Sequence, residues 1–333
     1  MITDKRSKGN RFTWFFKRTP IFSAVLIVAL IPVSADAFEI LLGTGETGTF
    51  SHFTGRTLCR MINRHAEDIQ CKLFPALDDV YNLTNLQGGS LDLVLVDSLL
   101  LHDAVGKTGY FEFLDIRYDN LRGIAPLYEI PITLVVRKDA NVHSLEDLKG
   151  KKINAGAPGS FRRLAMDKIM NAKNWSEKDF RLMAELPASQ SQDTMAFCHG
   201  TVQGMLHVGV HPDPALQQLF RLCKAALVDM QDQDIQKLTE DHPAFSKIAI
   251  AADTYPAQPK DVVTFGTRMM LVASGDLDDQ TVYNIVGALY GQQQILTRAH
   301  PALSHIGDKK LEKEIISLPL HPGAVKYFTE KGM

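Results

Sequence analysis

The sequence holds only four cysteines, and no two of them stand three apart. Lacking a C-x-x-C, it offers neither a thioredoxin-like redox site nor the paired ligands of a structural zinc. The G-x-S-x-G of a hydrolase elbow and the H-E-x-x-H of a zinc protease are also missing. No nucleophile–base pair stands out, so catalysis is not expected. Excess positive charge is absent too: 36 Lys/Arg stand against 38 Asp/Glu, a net of −2. Low-complexity tracts and internal repeats are lacking, and 333 residues suffice for one large domain or two medium ones.

Long apolar runs are confined to the N-terminus. Lys5, Arg6, Lys8, Arg11, Lys17 and Arg18 precede the stretch Ile21 to Val33, which only Ser23 and Pro32 interrupt. Ala35-Asp36-Ala37 then places small residues at −3 and −1. This is the three-part pattern of a secretory signal peptide over 1–37, with cleavage after Ala37. The rival is a retained anchor, but the run is short of the roughly 20 residues a spanning helix needs. The segment carries six Lys/Arg and two Asp/Glu, so its loss takes the net charge from −2 to −6. An acidic exported chain is a poor match for nucleic acid. Export also permits disulfides; Cys59–Cys71 and Cys198–Cys223 are favoured because each pair is close in sequence. Four free thiols are the alternative.

From Phe38 onward, strand-like runs alternate with helical patterns. The runs are 38–42, 71–74, 91–96, 121–128, 132–137, 151–156, 180–186, 204–210, 224–230 and 247–252. Helical patterns include Phe53–His65, Ser160–Asn171, Ser191–His199 and Asp278–His300. This alternation predicts an α/β protein rich in parallel strands. The pattern changes character after Arg137 and again at 253–263, where Pro256 and Pro259 fall. The chain is therefore expected to build 38–135 and 255–333 as one lobe and 136–254 as a second. Two crossing strands would join them, with a ligand held in the cleft between.

Two glycine-rich loops each follow a strand and precede a helix. In FEILLGTGETGTFSHFTG (38–55), Gly43, Gly45 and Gly48 match G-x-G-x-x-G. A dinucleotide site needs an acid closing the second strand. Asp68 precedes that strand, and Asp78 and Asp79 come late, so a nicotinamide enzyme is disfavoured and no cofactor is expected. The physics of the loop stands without it: glycines admit close approach, and a helix N-terminus attracts an anion. In INAGAPGSFRR (153–163), Gly156, Gly159 and Ser160 repeat the arrangement, with Ser160 as N-cap. Arg162 or Arg163 could add a bidentate contact to a carboxylate. His199, His207 and His211 raise a metal site, but no Glu stands near them and Cys198 is favoured in a disulfide; packed or exposed histidines are the simpler account.

Four stretches carry a resemblance. They are GTGETGTFSHFTG, VYNLTNLQGGSLDLVLVDS, the central LRGIAPLYEIPITLVVRKDANVHSLEDLKGKKINAGAPGS, and TYPAQPKDVVT with LPLHPGAVKYFTEKG. In order, and over essentially the whole chain after residue 37, they resemble the substrate-binding subunit of a TRAP transporter of the TAXI type. The resemblance implies a type II periplasmic-binding-protein fold with two lobes. It also implies a monomeric periplasmic receptor that delivers a small carboxylate or amino acid, such as glutamate, to TRAP membrane permease subunits. A sensor or adaptor feeding a signalling receptor is the alternative. The implied pocket positions are Gly45, Thr47, Thr49, Phe50, Asp78, Asp79, Asn82, Asp97, Ser98, Gly159, Ser160, Phe161 and Arg162. Several depart from the family pattern. Glu46 replaces Gly, His52 replaces Pro, Asp78-Asp79 replace Gly-Ser, and Asp97 replaces Gln. Phe161 and Arg162 replace small residues. A more acidic first lobe and a more basic second one suggest a solute with both charges, its ammonium toward Asp97.

Overall fold

A computed structural model of the chain describes residues 37–66, 68–186, 190–304, 306 and 318–333. The leader pattern of residues 1–36 lies outside the described residues. In chain order come β1 (Phe38–Thr44), α1 (Phe50–His65), β2 (Ile69–Pro75), α2 (Asp79–Gln87), β3 (Leu93–Asp97), α3 (Ser98–Gly106) and β4 (Leu121–Arg137). Next are β5 (Lys152–Asn154), α4 (Phe161–Lys173), β6 (Leu182–Ala184), α5 (Gln190–Cys198), β7 (Gly204–Val208), α6 (Pro214–Cys223) and β8 (Ala225–Val228). The chain closes with α7 (Gln233–Asp241), β9 (Ser246–Ile250), β10 (Val262–Ser274), α8 (Asp279–Gly291), α9 (Gln293–Ala299) and α10 (Pro322–Lys331). No helix among the described residues is long and apolar enough to cross a membrane.

The strands form one mixed sheet in the order β2-β1-β3-β10-β4-β7-β5-β6, with β8 on β4 and β9 on β10. Its parallel pairs are β1 with β2 and β3, and β5 with β6 and β7. Those are the pairs that β-α-β crossovers produce. Every antiparallel pair involves β4 or β10. Central β3 is buried at all five positions, as a strand covered on both faces must be. Edge strand β2 instead alternates between buried and exposed over its first four residues.

Helices cover both faces at both ends of the sheet. At the β2-β1-β3 end, α1, α8 and α10 pack one face through Leu58, Ile62, Ile285, Leu289 and Phe328. The other face takes Leu83 and Leu86 of α2 and Leu101 of α3. At the β7-β5-β6 end, α4 and α7 cover one face and α5 and α6 the other. Cys59 is bonded to Cys71, tying α1 to β2, and Cys198 to Cys223, tying α5 to α6. Closing loops of 12 and 25 residues restricts the unfolded chain by about 3 kcal/mol each.

The run read as two strands, 121–128 and 132–137, is one strand of 17 residues, β4. Its prolines do not break it, for two separate reasons. Pro126 pairs with Met270, beside a register shift that leaves Leu127 out of the β4–β10 ladder. Bulges of that kind disrupt the ladder locally, and proline within sheets is found beside them. Pro131 lies opposite Gly266, just before the β4–β7 ladder starts at Ile132, and its carbonyl accepts from Gly209 N–H at 3.2 Å.

Candidate functional site

In open α/β sheets, ligands gather outside the carboxyl ends of parallel strands. At the first end of the sheet those are the ends of β1, β2 and β3. The loop after β1 folds as a turn: Thr49 N–H and hydroxyl both donate to the Glu46 carbonyl, at 3.0 and 2.8 Å. Gly48 takes φ +99°, which a side chain would resist. Thr49 then caps α1 by accepting from His52 N–H at 3.2 Å. Glu46, Thr47, Gly48 and Thr49 are exposed. Gly45 N–H donates to the Ser51 hydroxyl at 3.2 Å. Phe50 lies edge-on to Tyr128 and to His300, with ring centroids 4.9 and 4.6 Å away.

After β2, the Asp78 carboxylate caps α2 from Tyr81 N–H at 2.7 Å. Asn82, fully buried, donates its amide to the Thr44 carbonyl at 3.1 Å and so fastens α2 to the end of β1. Asp79 accepts from Asp97 N–H at 3.0 Å. Asp97, 4% exposed, closes β3 and caps α3 through Leu99 N–H at 2.8 Å, while Thr267 of β10 donates its hydroxyl at 2.5 Å. Ser98 is spent on the frame: its hydroxyl donates to the Ala244 carbonyl and accepts from Arg268 N–H.

Two carboxyls, a phenol and a threonine hydroxyl therefore meet at the middle of the sheet. Burial pushes the Asp97 carboxyl up to about 7, against the hydrogen bonds from Thr267 and Leu99; the neighbouring Asp79 adds to the rise. Desolvation likewise lifts Asp79 to about 6, with Asp78 contributing. Burial also pushes the Tyr128 phenol up, with both aspartates adding to it and a hydrogen bond with Thr54 opposing. Among the described residues, neither Asp79 nor Asp97 has an ion pair. A buried carboxylate without a cation either takes a proton or accepts one from outside.

The other end of the sheet is built differently. Asn154 ends β5, and its side-chain oxygen accepts from the N–H groups of Gly156 and Leu186, each at 3.0 Å. Its amide donates to Asp193 of α5. Asp193 in turn holds Arg162 of α4 at 2.6 Å, with both side chains 9% exposed. Gly156, at φ +87°, lies where a Cβ would come within 2.9 Å of the Arg162 side chain. Ser160 caps α4, accepting from Arg163 N–H at 3.2 Å. Phe161 packs on the core beneath α4, and the Gly159 carbonyl accepts from the Tyr110 hydroxyl at 3.2 Å. Arg163 points away into a network with Asp167, Glu177 and Glu185.

Of the residues singled out in the sequence, Phe50, Asp79 and Asp97 come together around Tyr128. Thr47 and Thr49 lie on the exposed loop tip, and Asp78 and Ser160 serve as caps. Gly159, Ser160, Phe161 and Arg162 stand at the other end of the sheet. Tyr128, Thr267, Asn154 and Asp193 escape sequence reading, because each enters through a partner tens of residues away. His207 and His211 are side by side, with ring centroids 5.5 Å apart. His199 is exposed. No group of three His, Cys, Asp or Glu suited to a metal occurs among the described residues.

A mixed sheet clothed on both faces, with two long antiparallel strands through its middle, is the fold of the periplasmic solute-binding proteins. A TctC solute-binding protein from Polaromonas matches it with TM-score 0.55 and 13% identity, covering 90% of this chain and 99% of that one. XAC2383 from Xanthomonas citri, bound to chloride ion, matches with TM-score 0.52 and 12% identity over 88% and 99% of the two chains. The probable amino-acid ABC transporter extracellular-binding protein ytmK from Bacillus subtilis matches with TM-score 0.50 and 10% identity over 81% and 99%. Residues 42–332 match the model of the NMT1-like family, and the chain belongs to that family.

Proposed function

We propose that this protein is the extracytoplasmic solute receptor of a TRAP-type transporter of the TAXI type, made with a signal peptide that is removed after Ala37. In this reading 38–135 with 255–333 and 136–254 are two lobes, and a small amino acid or carboxylate of glutamate-like size lies between them. The receptor hands it to membrane permease subunits and performs no catalysis. The ligand carries a cationic group to the first lobe, where Asp97 and Asp79 accept it. The observation that supports this is the pair of buried carboxyls at the carboxyl end of β3, joined through the Asp97 N–H and without an ion pair among the described residues. An ammonium group there would satisfy acceptors that the folded chain leaves uncompensated.

The test is calorimetric titration of the protein lacking residues 1–37 with amino acids and with their des-amino counterparts. Asp97→Asn is expected to weaken amino-acid binding by tenfold or more, since a charge-assisted hydrogen bond contributes about 1.5–3 kcal/mol. Unchanged affinity in the variant would sink the ammonium assignment. No binding across the panel would sink the glutamate-like ligand.

A further inference from the structure

His207 lies near the end of β7, opposite Thr133 of β4. Its neighbour His211 is fully engaged: Nδ1 pairs with the Tyr255 hydroxyl at 2.5 Å and Nε2 with the Thr133 hydroxyl at 3.0 Å. His207 differs. Its Nε2 is closed off from solvent and has no hydrogen-bond partner among the described residues. A buried polar atom left in that state costs about 1–3 kcal/mol, so such atoms stand out as places where something is missing.

The surroundings say what fits there. β5 and β7 are parallel neighbours, so Arg162, in the first turn of the helix after β5, and His207, near the carboxyl end of β7, stand at the same edge of the sheet. Burial keeps the imidazole neutral, its pKa pushed down to about 3, and the Arg162 charge adds to the effect. A neutral imidazole offers one N–H donor, whereas a guanidinium can only donate. Among the described residues, the Arg162 side chain donates from Nη1 to Asp193. That bond aims the guanidinium, and Asn154 aims Asp193 in turn. A group that accepts from both an imidazole N–H and a guanidinium is an anionic oxygen, and a carboxylate offers two.

We propose that Arg162 and His207 form the anion subsite of this protein, taking a carboxylate of the solute, with Asp193 and Asn154 as positioning residues. This rests on the two-ended solute proposed above and supplies its second end. The cationic end meets Asp97 at one side, and the anionic end meets Arg162 and His207 at the other. His207 thereby selects for an acid over a plain amine, because an amine would leave its N–H unpaired and would approach a guanidinium.

The experiment follows the His207 ring in protein labelled with 15N-histidine, its signals identified by their loss in His207→Gln. Acetate, as a bare carboxylate, and L-glutamate are titrated separately. Both are expected to shift the His207 Nε2 signal saturably. By calorimetry, His207→Phe should bind glutamate about tenfold or more weakly, and His207→Gln, which keeps a donor, within about threefold of wild type. Glutamate binding with the His207 signal unmoved overturns the subsite, as does a folded His207→Phe with wild-type affinity. A response to acetate without glutamate binding keeps the subsite and discards the glutamate-like ligand. No response to either anion overturns the subsite, whatever Asp97→Asn does. The ring signal is read in wild-type protein, so the test stands even where a variant fails to fold.

Discussion

The two ends of the sheet manage buried charge in opposite ways. At the β3 end, Asp79 accepts from a backbone N–H and Asp97 from a backbone N–H and a hydroxyl, and neither has an ion pair among the described residues. At the β5 end, Asp193 is neutralised by Arg162 and steadied by Asn154. Burial is comparable, with Asp97 4% and Asp193 7% exposed. What differs is whether the opposite charge comes from the chain. The paired acid is part of the frame, whereas the unpaired ones are acceptors held in reserve.

That contrast can be broken at three levels. The largest effect is expected from Asp193→Ala, which strands the Arg162 guanidinium in a buried site. Loss of one partner of a buried pair costs about 3–5 kcal/mol, read as a lowered denaturant midpoint. A loss under about 1 kcal/mol would mean that Arg162 finds water, and the contrast would dissolve.

Next in size is the pH response of the unpaired acids. The Asp97 carboxyl rises from 3.8 to about 7 in the folded protein. Below 3.8 both folded and unfolded chains hold its proton. Between about 4 and 7 the unfolded chain releases that proton first, so stability falls as pH rises, and the loss is complete above about 7. The ligand-free protein should therefore lose on the order of 3 kcal/mol between about pH 4 and 7.5 from this group. Asp97→Asn should remove most of that slope. Equal slopes in the two proteins by urea titration would show that Asp97 is ionised throughout.

The smallest effect concerns the caps that the two ends share. Thr49→Ala at α1 and Ser160→Ala at α4 should each cost about 1 kcal/mol in chemical denaturation. Both side chains accept the same kind of bond at 3.2 Å, from His52 and Arg163 respectively. A cost confined to Ser160 would show that the exposed turn at 46–49 is held by Gly48 and the Glu46 carbonyl instead.

The order of strands and helices is legible in the sequence because period and punctuation are local properties. The glycine turns and the cap at Ser160 fall within a few residues of the features that betray them, whereas α1 starts at Phe50 under a Thr49 cap, ahead of the helical pattern read from Phe53. β4 reads wrongly for a non-local reason: Pro126 lies beside a register shift at Met269 and Met270 of β10, far along the chain, and the strand runs on through it. Arg162 is visible as a basic residue after a glycine loop, but its partner Asp193 lies 31 residues away on another helix. Asp97 stands out by its departure from a family pattern. That it meets Thr267 from β10 cannot be seen, because 170 residues separate them. His207 and His211 draw notice together; only packing shows that one of them is satisfied and the other is not.

β4 and β10 run side by side from Leu121–Ser274 to Ile132–Phe265. At about 3.3 Å per residue, the 17 residues of β4 reach roughly 55 Å. The pair is a continuous rail shared by both ends of the sheet. A loop hinge could bend at one bond, but this ladder turns only by sharing twist among many hydrogen bonds. Because each end owns part of both strands, neither can melt without stripping the other of its central rail, and the chain gains cooperativity from the same two strands.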